Sequence, residues 1–210
     1  MRVVATYRRK DAAYERAKQE GYRSRAAYKL IELDDRFRLL RPGQRVVDLG
    51  CWPGSWLQVA SRRIGPSGRV VGVDLVAIDP LSERNVVAIA GDVLDPEVRA
   101  QVARALGGRA DVVLADLAPK LSGIASSDAA RHAALVAAAV ASARDWLAPE
   151  GALLVKLFVG GELEHVLSEL RAAFVDVKTT RPASTRKGSS ELYAVCRRLR
   201  PGATSDPRPV

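Results

Sequence analysis

Five short Val- and Leu-rich runs, separated by stretches with helical spacing, constrain this chain more than any other feature. Arg45 to Gly50 (RVVDLG), Arg69 to Leu75 (RVVGVDL), Val86 to Ala90, Asp111 to Leu117 (DVVLADL) and Ala152 to Phe158 (ALLVKLF) are apolar on both alternating faces. Strands of that kind are buried on both sides, as in a parallel sheet covered by helices. Helical patterns fall between and around them: Ser24 to Leu39 with Ser24 as N-cap, Ser55 to Arg63, Pro96 to Leu106, Ala129 to Leu147 and Glu162 to Phe174. Alternation of the two implies an α/β doubly wound sheet with helices on both faces. Phe174 to Thr180 and Glu191 to Cys196 then make two more strands, with no room for a helix between them. They should pair antiparallel. The whole predicts a seven-stranded, mostly parallel sheet with a terminal antiparallel hairpin.

Charge is divided along the chain. Residues 1–45 carry 13 basic against 6 acidic side chains, net +7; residues 46–170 are net −4; residues 171–210 are net +6, for a total of +9. An acidic middle between basic ends suggests a polyanion-binding surface built from both termini. Cys51 and Cys196 lie far apart with no CxxC spacing, and His132 and His165 are the only histidines. No metal-ligand set follows from them, and a reduced cytoplasmic protein is expected. The longest apolar stretch, Ala133 to Ala143, is too short to span a membrane. Met1-Arg2 opens onto Tyr7-Arg8-Arg9-Lys10 rather than an apolar leader.

The first strand runs into Asp48-Leu49-Gly50-Cys51-Trp52-Pro53-Gly54-Ser55-Trp56, a Gly-rich turn opening a helix. Its G-x-x-x-G spacing differs from the G-x-G-x-x-G that cradles a pyrophosphate, and Pro53 removes one N–H. Such a turn suits a nucleoside ligand without phosphates, as S-adenosylmethionine is. The next three strands end at Asp74, at Gly91-Asp92 and at Asp116. Carboxylates there line the crevice where such sheets bind ligands, able to accept from ribose hydroxyls and an adenine amino group. Asp also caps turns and helices, so each alone is weak; three in register with the Gly loop are not.

Lys156 interrupts an apolar strand, where desolvation disfavours it unless it faces a site or a carboxylate. Asp116 ends the neighbouring strand and is the expected partner. Glu191 starts the last strand after Arg186-Lys187-Gly188, and Lys29 lies in Gly21 to Leu30 (GYRSRAAYKL). Singly, Lys29 and Glu191 would read as surface charges.

Five parallel-type strands followed by a hairpin resemble the Rossmann-like class I methyltransferases. GYRSRAAYKL, VVDLGCWPGSW, GVDL, GDV, DLAPKLSG, VKLF and SSELYAV, in that order from about Tyr14 to Val195, resemble the FtsJ-like ribosomal RNA methyltransferase E family. The resemblance implies S-adenosylmethionine-dependent 2′-O-methylation of a uridine in large-subunit (23S) ribosomal RNA, by a cytoplasmic and monomeric enzyme supporting ribosome assembly. It carries a Lys-Asp-Lys-Glu tetrad onto Lys29, Asp116, Lys156 and Glu191, and cofactor contacts onto Gly54, Trp56, Asp74, Asp92 and Asp116. Here Cys51-Trp52 replaces two small residues and Ser55 a second glycine, while Gly54 is kept. In that tetrad Lys156 is either a general base or the cation that stabilises a developing alkoxide, with Asp116 orienting it and Lys29 lowering its proton affinity.

On the expected division, residues 1–40 are a basic extension and helix, 41–197 the methyltransferase domain and 198–210 a disordered tail. Tyr7, Tyr14, Tyr22 and Tyr28 interleave with Arg8, Arg9, Lys10, Arg16, Lys18, Arg23 and Arg25. Tyr28 and Tyr22 are expected in the core, with the arginines on RNA phosphates and Arg181, Arg186 and Lys187 joining from the other end. Two other readings compete: methylation of a transfer RNA or cap-type RNA, and a ribosome-assembly factor that holds RNA without catalysis.

Overall fold

The computed structural model describes residues 12–119, 122–186 and 188–201. The elements run α1 (Ala12–Gln19), α2 (Ala27–Phe37), β1 (Arg45–Leu49), α3 (Ser55–Ile64), β2 (Arg69–Asp74), β3 (Val86–Ala90), α4 (Pro96–Leu106), β4 (Ala110–Ala115), α5 (Ala125–Trp146), β5 (Leu147–Phe158), α6 (Leu163–Ala173), β6 (Phe174–Thr180) and β7 (Glu191–Leu199). The seven strands form one sheet in the order β3-β2-β1-β4-β5-β7-β6. The first five are parallel, and β7 lies antiparallel between β5 and β6. This is the sheet expected from the strand pattern.

Burial on both faces explains the continuous apolar runs. In β5, Leu153, Val155 and Leu157 point into the core shared with α4, α5 and α6. Ala152 and Leu154 point to the opposite core, shared with α2 and α3. The pleat therefore puts Lys156 on the α2 face, together with Tyr193 and Glu191 of β7, which pair across from Lys156 and Phe158. Since β5 is flanked by β4 and β7, Lys156 is on an interior strand, not a sheet edge.

Several boundaries differ from expectation for physical reasons. β5 begins at Leu147, because Leu147 pairs with Ala110 before a register shift at the Pro-Glu-Gly turn. β7 continues to Leu199, whose pairing with Phe174 and the Arg200 N–H bond to the Ala173 carbonyl hold residues expected in the tail. The remainder of that tail, from 202, lies outside the described residues, as do Tyr7, Arg8, Arg9, Lys10 and Lys187. Ser24 is not the N-cap of α2: that position is Ala26, with no side-chain cap bond. Ser24 Oγ instead meets Ser55 Oγ at 2.8 Å and accepts from the Ala26 N–H, so it ties the turn before α2 to the start of α3. α1 has no counterpart among the expected helices.

The N-terminal segment is built into the main core rather than appended to it. Leu30 and Leu33 of α2 pack with Leu57 and Val59 of α3 and with Tyr193 and Val195 of β7. Contact between α3 and β2 requires glycine at 72: a Cβ there would lie 2.8 Å from a Leu57 methyl and 2.9 Å from the Cys51 sulfur. Gly72→Ala should therefore lower stability by about 1–3 kcal/mol through overpacking, read as a reduced denaturation midpoint at unchanged m-value. An unchanged midpoint would show that the Gly loop and α3 shift freely.

Candidate active site

The carboxyl ends of β1 to β5 converge on one edge of the sheet, where the polar residues of the apolar strands collect. Lys156 is 5 % exposed. Its Nζ donates to the Asp116 backbone carbonyl at 2.9 Å and lies 3.0 Å from Asp116 Oδ1. The expected Lys156–Asp116 pair is present. A second pair joins Lys29 Nζ to Glu191 Oε2 at 2.7 Å, linking α2 to the start of β7. Each lysine faces its own carboxylate, so the tetrad is two ion pairs rather than two neighbouring free cations. Burial raises the Glu191 carboxyl, but the hydrogen bond and charge of Lys29, with Lys156 and Ser189, outweigh it and hold it below its ordinary value.

Tyr193 joins these pairs. Its ring is fully buried, its hydroxyl donates to Asp116 Oδ1 at 2.8 Å, and Lys29 Nζ lies 5.9 Å from its centroid. Burial, with the charge and hydrogen bond of Asp116, raises the phenol well above its ordinary value, so it stays a donor. Sequence reasoning missed Tyr193, although its position two residues beyond Glu191 on one strand puts both on one face.

Cofactor-binding candidates divide into two groups. Asp74, Asp92 and Asp116 line a cavity of about 370 Å³, together with Gly50, Trp52 and Leu117. Gly50 has φ +78° and a Cβ there would lie 2.8 Å from a Leu117 methyl, so the first glycine makes the close approach. Asp74 accepts from the Trp52 and Val76 N–H groups, and Asp92 from that of Leu94. Gly54 and Trp56 lie behind the cavity. Gly54 has φ +107° at the start of α3, with Arg23 3.1 Å from where a Cβ would be. The Trp56 indole is buried and donates to the Ala26 carbonyl. What this turn can offer a ligand is backbone N–H at the N terminus of α3. Trp52, where the family motif has a small residue, is 59 % exposed on the cavity rim.

Arginines expected on RNA are partly committed elsewhere. Arg23 donates to the carbonyls of Pro53, Asp79 and Pro80, clamping the Gly turn to the loop after β2. Arg16 pairs with Glu20 and covers the Tyr28 ring, while Arg62 covers Tyr22. Both tyrosines are half-buried rather than core, each with a cation on its face. The two basic ends do meet: Glu32 of α2 accepts from Ala183 and Ser184 of the loop before β7, and Arg36 donates to Thr180.

Beneath the site lies Asp48, fully buried with neither carboxyl oxygen hydrogen-bonded. Burial, reinforced by the charges of Asp116 and Asp74, raises it well above the ordinary carboxylate value. Folding then binds a proton that the unfolded chain has lost. The resulting stability is full below the unfolded value near 3.9 and is lost as pH rises through the folded one. Asp48→Asn removes that dependence, so its melting temperature should gain on the wild type by a few degrees between about pH 5 and pH 8. A constant difference across that window would mean that Asp48 is ionised in the fold.

Residues 22–199 match the FtsJ-like methyltransferase family. A protein of Methanothermobacter thermautotrophicus named ribosomal RNA large subunit methyltransferase E is 48% identical over 190 residues, 90% of each chain. One of the same name from Syntrophobacter fumaroxidans is 46% identical over 93% of this chain and 98% of its own. Among solved structures, a Plasmodium falciparum protein described as a ribosomal RNA methyltransferase superposes with a TM-score of 0.74 at 30% identity, over 85% of this chain and 98% of its own. Aeropyrum pernix fibrillarin, solved with natively bound S-adenosyl-L-methionine, shares the fold, with a TM-score of 0.58 at 20% identity over 81% of this chain and 75% of its own. The family model and the curated relatives, each over about nine-tenths of the chain or close to it, show that the chain is a member of the FtsJ-like methyltransferase family.

Proposed function

We propose that the protein methylates the 2′-hydroxyl of a uridine ribose in large-subunit ribosomal RNA, with S-adenosylmethionine as donor. The observation that carries this reading is the Lys156 ammonium, buried in the sheet and paired with Asp116, a residue that also lines the carboxylate-rich cavity. That cavity suits the cofactor chemically. Asp74 can accept from ribose hydroxyls and Asp92 from an adenine amino group, while the first N–H groups of α3 can donate to the methionine carboxylate. When bound, the cofactor supplies a methyl group on a positively charged sulfur.

The residues of the chain then have separable roles. A ribose hydroxyl is a poor nucleophile until its proton is leaving. Lys156 gives two of its N–H groups to Asp116, one to the carbonyl and one to the carboxylate, leaving one for the acceptor oxygen. Its charge stabilises the alkoxide as it develops, in a site with little water. Asp116 orients Lys156 and is itself fixed by Tyr193. Lys29 and Glu191, less buried than Lys156 and only partly exposed, position the ribose and its phosphate at the mouth. The basic ends that α2 and the loop before β7 bring together border the same crevice and meet the RNA backbone. We further propose that the protein acts as a monomer, in the cytoplasm where ribosomal subunits assemble.

Lys156→Ala should lower single-turnover methyl transfer to ribosomal particles by at least about 10²-fold, the scale of losing one preorganised donor. Cofactor and RNA binding should be retained. Near-normal transfer by that variant would remove Lys156 from the mechanism.

A further inference from the structure

A second cavity, of about 300 Å³, opens on the other side of the segment that follows Asp116. Its walls come from α5, the end of β5 and the start of α6, with Pro119, Leu157, Phe158 and Val166 among the apolar lining and Asp128, His132, Glu162 and Ser190 as polar members. None of these residues belongs to the tetrad, yet several touch it. Phe158 pairs in register with Glu191, and its ring centroid is 5.8 Å from Lys156 Nζ. Ser190 precedes Glu191 in the chain, and its carbonyl accepts from the Val159 N–H. His132 Nε2 is 3.1 Å from the Lys156 carbonyl, and the imidazole packs edge-on against Phe158 at 4.6 Å.

Resting on the 2′-hydroxyl reading above, we propose that this cavity receives the base of the nucleotide being methylated, with Phe158 as its aromatic wall and His132 as the residue that reads its edge. Three observations lead there. First, Asp116, Leu117 and Ala118 line the cofactor cavity and Pro119 this one, and Lys156, paired with Asp116, lies 5.8 Å from the Phe158 ring centroid. A ribose at Lys156 has the cofactor cavity on one side and this one on the other, where its base must go. Second, several of the large exposed apolar side chains line the two cavities: Trp52, Leu75 and Val76 one, Val159 the other. Apolar walls with a few polar groups suit an unstacked base, which RNA-binding proteins hold by aromatic contact and edge hydrogen bonds. Third, a carbonyl only accepts, so the contact with Lys156 places the imidazole hydrogen on Nε2 and leaves Nδ1 as an acceptor. Burial lowers the proton affinity of this imidazole, with the Lys156 charge adding to it against the carbonyl contact, which keeps that acceptor available. An acceptor is matched by the N3–H of uracil and mismatched by the N3 lone pair of cytosine.

The test compares kcat/KM on ribosomal particles, or an RNA fragment that supports transfer, carrying at the target position uridine, cytidine or a ribose without a base. Wild-type enzyme should prefer uridine to each of the others by about tenfold or more. That preference should collapse toward unity in His132→Phe. It should also collapse in Gly161→Phe, which fills the cavity mouth from an exposed position where an added Cβ meets nothing within 4 Å. Equal rates of the wild type on all three RNAs overturn the base site while leaving ribose methylation standing. Variants that keep the full preference, or that slow all three RNAs equally, also overturn it. Absence of ribose methylation on every RNA removes both readings together.

Discussion

An ammonium group cannot lie inside an apolar strand without a carboxylate beside it, and Lys156 meets this requirement through Asp116. The pair exists because β4 and β5 are neighbours in a parallel sheet, so that Asp116 and Lys156 each follow a member of the last register pair, Ala115 and Val155. Tyr193 can reach the same carboxylate only because β7 is inserted antiparallel next to β5, opposite Lys156. The sheet order and the chemistry are thus one arrangement. Any sheet with β7 elsewhere would leave Asp116 without its hydroxyl donor and Glu191 away from the site.

The second ion pair serves a different purpose. Lys29 and Glu191 lie 162 residues apart and close the N-terminal helix onto the terminal hairpin, with Glu32 and Arg36 repeating that attachment along α2. The division of charge along the chain acquires a geometry from this. The acidic middle places three carboxylates around a cavity suited to a cationic cofactor, and the basic ends are joined beside it. Not all of the basic residues face outward. Arg23 is spent on three carbonyls of the Gly turn and its neighbour, so it shapes the cofactor side rather than the RNA surface.

Much of this could be read from residue types and order. Apolar runs without alternation gave the parallel strands, and a lysine inside one of them marked the centre of the site. Asp116 followed from its place at the end of the adjacent run. What could not be read depends on side-chain direction and on competition among partners. Trp56 matches a cofactor-binding motif, yet its indole is buried against Ala26, because α3 must pack against α2. Tyr28 has helical spacing that suits a core position, yet its hydroxyl finds Glu20 and its face Arg16, which keep it half-buried. Asp48 looks like one more strand-end carboxylate, but it points into the core on the α2 face rather than into the crevice. Tyr193 carried a signal, the two-residue spacing from Glu191, that had meaning only once Glu191 was placed.

On the function proposed above, the two ion pairs serve a sugar hydroxyl rather than a base carbon. Lys156 offers an N–H and a charge to an oxygen that becomes anionic, and the described site contains no thiol able to attack a base: burial raises the thiols of Cys51 and Cys196, the latter up to about 12. The most direct measurement is the chemical position of the transferred methyl group, mapped by nuclease digestion and mass spectrometry of large-subunit RNA incubated with the enzyme and labelled S-adenosylmethionine. Label on the 2′-oxygen of one uridine ribose is the expected result. Label on a base atom, or on protein, would contradict the assignment of Lys156 and its partners.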